Sequence, residues 1–255
     1  MKKYFLSLLL FVSIICTGQT KKLFKTASWG NEKWGFIYKP SLPGKYPVIF
    51  FFHGAYETGT DSVSVNSLLN IGPLYFVKNT GWKPNYIIVA IQEKYWSPSA
   101  ELCKYILDNE PEVKNGWNGQ TLWTGLSAGG QRVLECMANK YSGVFVPMSP
   151  AAIDLSRIDV TIPFRVLDFH ADNDNVCPYK FSVELIDLLN KVNPGKSSLI
   201  TYHGGHSQWN DFYNPNFNSP NIYKWAFDSI PLPPMKKLLF TLKVYDDGTT
   251  EKINN

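Results

Sequence analysis

Ser127 stands between two glycines in Thr124-Gly125-Leu126-Ser127-Ala128-Gly129-Gly130, directly behind the apolar run Gln120-Thr121-Leu122-Trp123. Gly-x-Ser-x-Gly suits a serine on a sharp strand-to-helix turn, with its hydroxyl lifted clear of a sheet. The glycines would allow dihedrals and close backbone approach that a side chain forbids. A serine hydroxyl is a poor nucleophile until a base takes its proton. The chemistry therefore needs a histidine, and a carboxylate to orient that histidine. A plain tight turn would need neither.

Four histidines are available: His53, His170, His203 and His206. His53 and His170 sit at strand ends beside Gly or Asp residues that suggest other work. Tyr202-His203-Gly204-Gly205-His206-Ser207 follows the last predicted strand, and its glycines let His206 bend over the sheet edge. His206 is the expected base, with His203 as the alternative. A metal held by His203 and His206 lacks a clear third ligand. The orienting acid should lie between serine and histidine in chain order. Asp168-Phe169-His170-Ala171-Asp172-Asn173-Asp174 offers three candidates. Asp168 falls inside the strand pattern and reads as structural. Asp174, in the loop before the next helix, is preferred over Asp172. An oxyanion would take one N–H from Ala128, at the start of a helix whose end carries partial positive charge. A second would come from Ala55, or else Tyr56, in Phe52-His53-Gly54-Ala55-Tyr56-Glu57-Thr58-Gly59 after an early strand.

These residues require a particular frame. Runs 46–52, 85–91, 121–126, 143–148, 163–169 and 198–202 are short, apolar and bounded by turn residues. Such runs suit strands buried on both faces of a parallel sheet. Helices are predicted at about 99–109, 128–140, 178–192 and 221–229, with Phe181, Leu185, Leu188, Leu189 and Val192 at helical spacing in the third. Alternating strands and helices imply an α/β fold, a doubly wound and mostly parallel sheet with helices on both faces. An antiparallel hairpin is expected to open it, over 23–29 and 33–39. The link at 149–162 is too short for a large lid domain. Residues 231–255 read as a C-terminal extension, with a β-hairpin expected around Asp246-Asp247-Gly248-Thr249. The main domain is thus expected over 19–230.

The chain has 255 residues, of which 44% are hydrophobic and 18% charged, against about 25% charged in a typical domain. That composition fits a packed globular protein. The net charge of +4 drops by two if Lys2 and Lys3 leave with a cleaved leader, too weak a balance for nucleic acid. Residues 1–18 have the charged start, short apolar core and small-residue exit of a signal peptide, and are too short to span a membrane. The expected location is therefore secreted or periplasmic, with a lipid on Cys16 as the lesser alternative. Loss of Cys16 leaves Cys103, Cys136 and Cys177, an odd number with no C-x-x-C pair, so no essential disulfide is expected.

The blocks 50–59, 124–130, 169–179 and 204–227 resemble the α/β-hydrolase superfamily. More narrowly they resemble its secreted esterase branch, the polyhydroxybutyrate-depolymerase-like, feruloyl-esterase-like and predicted-peptidase group. Two positions depart from that branch: Tyr56 stands where its early motif has a second glycine, and Cys177 where its acid loop has valine. The resemblance implies a serine esterase with Ser127, His206 and Asp174 as the triad, Ala128 and Ala55 as oxyanion donors, and neither cofactor nor metal. The expected partner is a small-molecule or polysaccharide-linked ester. Tyr56 and Trp209 would contact it, with Phe212, Tyr213 and Phe217 as further rim aromatics. A serine peptidase or amidase on the same triad remains open. So does a non-catalytic carbohydrate-binding protein on a hydrolase scaffold.

Overall fold

Strands β1 (Thr20–Thr26) and β2 (Lys33–Lys39) form an antiparallel pair at one edge of an eight-stranded sheet. β3 (Tyr46–Phe52), β4 (Ile87–Gln92), β5 (Trp117–Leu126), β6 (Gly143–Met148), β7 (Phe164–Ala171) and β8 (Ser197–Tyr202) run parallel to one another. The spatial order is β1-β2-β4-β3-β5-β6-β7-β8, and β2 joins β4 antiparallel. The computed structural model describes residues 20–26, 33–94, 100–228, 240–244 and 250–254. The expected signal peptide lies outside them.

The sheet is wrapped by α1 (Gly72–Asn79), α2 (Ala100–Asn109), the short α3 (Pro111–Lys114), α4 (Ala128–Ala138), α5 (Tyr179–Val192), α6 (Trp209–Tyr213) and α7 (Ile222–Phe227). Strand alternation sends successive side chains to opposite faces. Val48, Phe50 and Phe52 therefore pack with Trp123, Phe145, Val133, Leu134 and Leu185 on the face covered by α2, α4 and α5. Ile49 and Phe51 pack with Leu74, Val77, Phe212, Tyr213 and Trp225 on the other. Phe50 stacks on Trp123 at 4.8 Å between ring centres. The central strands are apolar on both faces because both faces are covered.

Three findings differ from the sequence reading. β5 begins at Trp117 rather than 121, and α1, α3 and α6 lie outside the predicted helices. Phe212 and Tyr213, expected at an open rim, are fully buried. The Tyr213 hydroxyl lies 2.9 Å from Thr124 Oγ1, and its ring meets Phe51 edge-on. A pair of adjacent aromatics on one helical turn serves the core here, and Phe217 packs edge-on against Phe212 behind it.

The link from β6 to β7 holds one 3₁₀ turn, Leu155–Arg157, and its Ile153, Leu155, Val160 and Ile162 pack back on the core. No lid is built on it. Beyond the sheet, β9 (Phe240–Val244) pairs antiparallel with β10 (Thr250–Asn254). Cys103, Cys136 and Cys177 are free and buried. Among the described residues no helix is long and apolar enough to cross a membrane.

Candidate active site

β5 ends at Leu126 and α4 begins at Ala128, so Ser127 forms the whole corner. Its backbone sits at φ 54°, ψ −119°, a costly conformation for a residue with a Cβ. The surroundings hold it there: Ser127 N–H donates to Met148 O at 2.9 Å, and Ser127 O accepts from Ala151 N–H at 3.2 Å and Gln131 N–H at 3.1 Å. Close approach explains the flanking glycines. A Cβ on Gly125 would fall 2.6 Å from Gly129 O, and one on Gly129 only 2.0 Å from Phe52 O.

His206 Nε2 lies 2.9 Å from Ser127 Oγ, and His206 Nδ1 lies 2.7 Å from Asp174 Oδ2. A carboxylate only accepts, so Nδ1 carries the proton and the Nε2 lone pair faces the serine hydroxyl. Asp174 Oδ1 also accepts from the Val176 and Cys177 N–H groups, both at 2.8 Å. Burial alone would raise the Asp174 pKa. The hydrogen bonds from His206, Cys177 and Val176 outweigh it and hold the carboxyl below its ordinary range. The acid thus stays charged, as the orienting role demands.

The two competing residues pair with each other instead. His203 Nδ1 donates to Asp172 Oδ1 at 2.8 Å, and its Nε2 faces Asn173 Nδ2 at 3.3 Å. Asn173 Oδ1 accepts from the Gly204 and Gly205 N–H groups at 3.0 and 2.9 Å. Asn173 thereby ties the acid loop to the histidine loop, a role that nothing in its sequence position signals. Asp168 is fully buried in β7, in keeping with its strand position.

His53 is buried, with Nδ1 donating to Gly54 O at 2.6 Å and Nε2 accepting from Glu93 N–H at 3.2 Å. It pins the turn after β3 to the end of β4. That turn becomes a 3₁₀ segment, Ala55–Glu57. Among the described residues the N–H groups of Ala55, Tyr56 and Ala128 donate to no acceptor. Both early-loop donors therefore stay available beside that of Ala128. Burial and the nearby Asp174 charge push the Cys177 thiol up to about 11, against the Ser127 hydroxyl beside it. A thiol so protonated is no rival nucleophile.

Tyr56 is 95% exposed. Trp209 is half-buried and presents its ring edge-on to His206 at 4.9 Å. No group of three or more His, Cys, Asp or Glu placed to hold a metal occurs among the described residues. A cavity of about 540 Å³ opens at the other end of β5–β7, lined by Gln120, Ser142, Arg165, Lys196 and Phe227, and none of Ser127, His206 or Asp174 lines it.

The mostly parallel sheet with its antiparallel second strand, and a serine on the corner after β5, define the α/β-hydrolase fold. No protein-family model matches the chain, and no curated protein matches it. Solved structures do. A thermostable esterase shares 23% identity at a TM-score of 0.61, over 82% of this chain and 62% of its own. MGS-M1, an α/β hydrolase enzyme from a Medee basin deep-sea metagenome library, shares 16% at 0.52, over 83% and 96%. The acylaminoacyl peptidase of Pyrococcus horikoshii shares 14% at 0.53, over 74% and 37%. The chain spans less than two thirds of the first and third of these proteins. At such identities the likeness is one of fold.

Proposed function

We propose that this protein is an exported serine hydrolase that cleaves carboxylic esters, with short-chain or aryl esters linked to carbohydrate as its substrates. One observation carries the reading: the line Asp174 Oδ2, His206 Nδ1, His206 Nε2, Ser127 Oγ, at 2.7 and 2.9 Å. His206 takes the Ser127 proton as Oγ attacks the ester carbonyl. The tetrahedral oxyanion is met by the N–H groups of Ala128 and of Ala55 or Tyr56. His206 then gives its proton to the departing alcohol. Water, activated by the same imidazole, releases the acid from Ser127.

The short link after β6 supports an open site, and Tyr56 and Trp209 supply ring faces for a sugar or aryl group. The charged-then-apolar start of the chain supports export. Neighbours that share the fold include esterases and acylaminoacyl peptidases, so the bond type needs its own test.

A fluorophosphonate probe should label the wild type and not Ser127→Ala. Absence of labelling would return the protein to the class of binding proteins. In a panel of acetyl and feruloyl sugar esters, long-chain acyl esters and peptide amides, the short and aryl esters should turn over fastest. Preference for amides, or for long chains with activation at a lipid interface, would overturn the substrate reading.

Asn173→Ala should slow turnover roughly tenfold, because Gly204 and Gly205 lose their shared acceptor and the histidine loop its anchor. Its melting temperature should stay near wild type, since these groups face solvent. His203→Ala should cost less, as its contact with Asp172 is solvent-exposed and contributes little. Steady-state kinetics on the best ester, beside a thermal melt, checks both.

A further inference from the structure

The turn that offers Ala55 and Tyr56 to an oxyanion is not held by packing. Its three side chains are exposed or half-buried. Its own bond, Glu57 N–H to Gly54 O, spans 3.4 Å, against an ordinary length of about 3 Å. Groups outside the turn must therefore fix it. His53 holds the Gly54 carbonyl at one end. At the other end stands Gln92, a buried amide for which the proposed hydrolysis has no use.

Gln92 closes β4, which is otherwise apolar from Ile87 to Ile91. Strand alternation puts it on the face of Ile88 and Ala90. Those two share an apolar cluster with Val65 and Leu68 of the 3₁₀ segment Ser64–Leu69. Residues three apart eclipse in a 3₁₀ helix, so Ser64 and Ser67 line one face of that segment, and this face meets the Gln92 amide. Nε2 donates to Glu57 O at 2.8 Å and to Ser67 Oγ at 3.3 Å, and Oε1 accepts from Ser64 Oγ at 3.0 Å. Ser67 Oγ in turn donates to Glu57 O at 3.2 Å. A carbonyl only accepts, so the amide has one orientation here, with its nitrogen toward Glu57 and both hydrogens used. A buried amide is costly unless it is bonded in this way.

We infer that Gln92 is a positioning residue for the oxyanion donors: by holding the Glu57 carbonyl, with Ser67 beside it, it fixes the far end of the turn that aims the Ala55 and Tyr56 N–H groups. Its effect on turnover rests on the hydrolase reading, whereas the ordering of the turn does not. Gly54 O and Glu57 O are both tied to the end of β4. The first is tied through His53, whose Nε2 accepts from Glu93 N–H at 3.2 Å, and the second through Gln92. Ala55 and Tyr56 lie between these two ties. Just beyond the second, Gly59 N–H donates to Glu93 O at 3.0 Å. None of the Gln92 hydrogen bonds reaches Ser127, His206 or Asp174.

The test compares wild type with Gln92→Met and Ser67→Ala. Gln92→Met keeps the length of the side chain without its polar atoms. Ser67→Ala removes the lesser donor to Glu57 O, and serves if the methionine protein does not fold. Removing an oxyanion donor outright costs about 10²–10³ in kcat, and a donor aimed loosely keeps part of that. Gln92→Met should therefore lose about tenfold in kcat on an ester at unchanged KM, since the interaction is made only in the transition state. It should also bind phenylboronic acid, whose adduct with Ser127 is tetrahedral, about tenfold more weakly. Ser67→Ala should lose about threefold in both. The amide resonances of Ala55 and Tyr56 should shift in each variant. The ¹H resonance of the His206 Nδ1–H shared with Asp174 should stay in place, whereas a general loosening of the site would move it. Wild-type kcat and boronate affinity in Gln92→Met, or in Ser67→Ala if it alone folds, would overturn the proposal. So would a loss carried by KM, or one accompanied by a shifted His206 resonance. If wild type neither turns over esters nor takes a fluorophosphonate, the hydrolase reading fails. The Ala55 and Tyr56 resonances then decide alone, and if unmoved they show that Gln92 does not order the turn.

Discussion

Ser127→Ala should lower kcat on an ester by about 10⁶-fold, and His206→Ala should lower it equally. The double variant should be no worse than either alone. The expectation follows from the geometry, in which the Ser127 hydroxyl has one base within reach and that base has one productive lone pair. Removing either partner removes the whole proton transfer. Asp174→Asn should cost about 10⁴-fold, because an amide in place of the carboxylate favours the wrong imidazole tautomer. Its fold should survive, since the amide oxygen left by Asp174→Asn can still accept from Val176 and Cys177. Asp172→Asn is the informative control. Its partner is His203, so turnover should stay within a few-fold of wild type. A dead Asp172→Asn beside an active Asp174→Asn would reverse the assignment of the acid. Circular dichroism and a thermal melt on each variant separate lost chemistry from lost structure.

Gly129→Ala should be the most damaging of the glycine-to-alanine changes whose surroundings the described residues define. The added Cβ would meet Phe52 O at 2.0 Å, the Phe52 carbonyl carbon at 2.5 Å and His53 O at 2.6 Å. All are backbone atoms, so no side chain can rotate aside. Either α4 moves off β3 or the strand end shifts, and a buried sheet resists both. Overpacking a core costs about 1–3 kcal/mol and more where nothing can yield, so a loss of about 3 kcal/mol or more in urea unfolding is expected. The same shift would carry the Ala128 N–H away from the developing oxyanion, so residual folded protein should also be slow. Gly81→Ala is the matched control. Gly81 has φ +69° but open space around its Cβ position, so only a dihedral cost of about 1 kcal/mol applies. Equal stability losses in the two variants would mean that the approach of α4 to β3 is looser than these distances require.

Much of this protein is written locally. Apolar runs with turn residues at their ends announce buried parallel strands, because a strand covered on both faces has no use for alternation. The glycines around Ser127 announce a corner where backbone meets backbone, since a Cβ on Gly129 or Gly125 would fall 2.0 Å or 2.6 Å from a carbonyl oxygen. Chain order then points to the loops after β7 and β8. Within those loops the sequence stops short. Asp172 and Asp174 are both loop aspartates two residues apart, and His203 and His206 are both near glycines. Nothing in composition tells which pair meets, because the contacts join residues 79 and 32 positions apart. Tertiary packing gives each acid its own histidine: Asp174 turns inward to His206, and Asp172 outward to His203. Asn173, between the acids, becomes a clamp only when β8 brings Gly204 and Gly205 alongside it. The aromatics after His206 show the same limit. Trp209 lies against His206 while Phe212 and Tyr213 are buried against Phe169 and Phe51, contacts that exist only once α6 docks on the sheet. Asp168 reads correctly as a buried residue of β7, whereas the contact of His170, on the same strand face, with Ser182 exists only because α5 docks there.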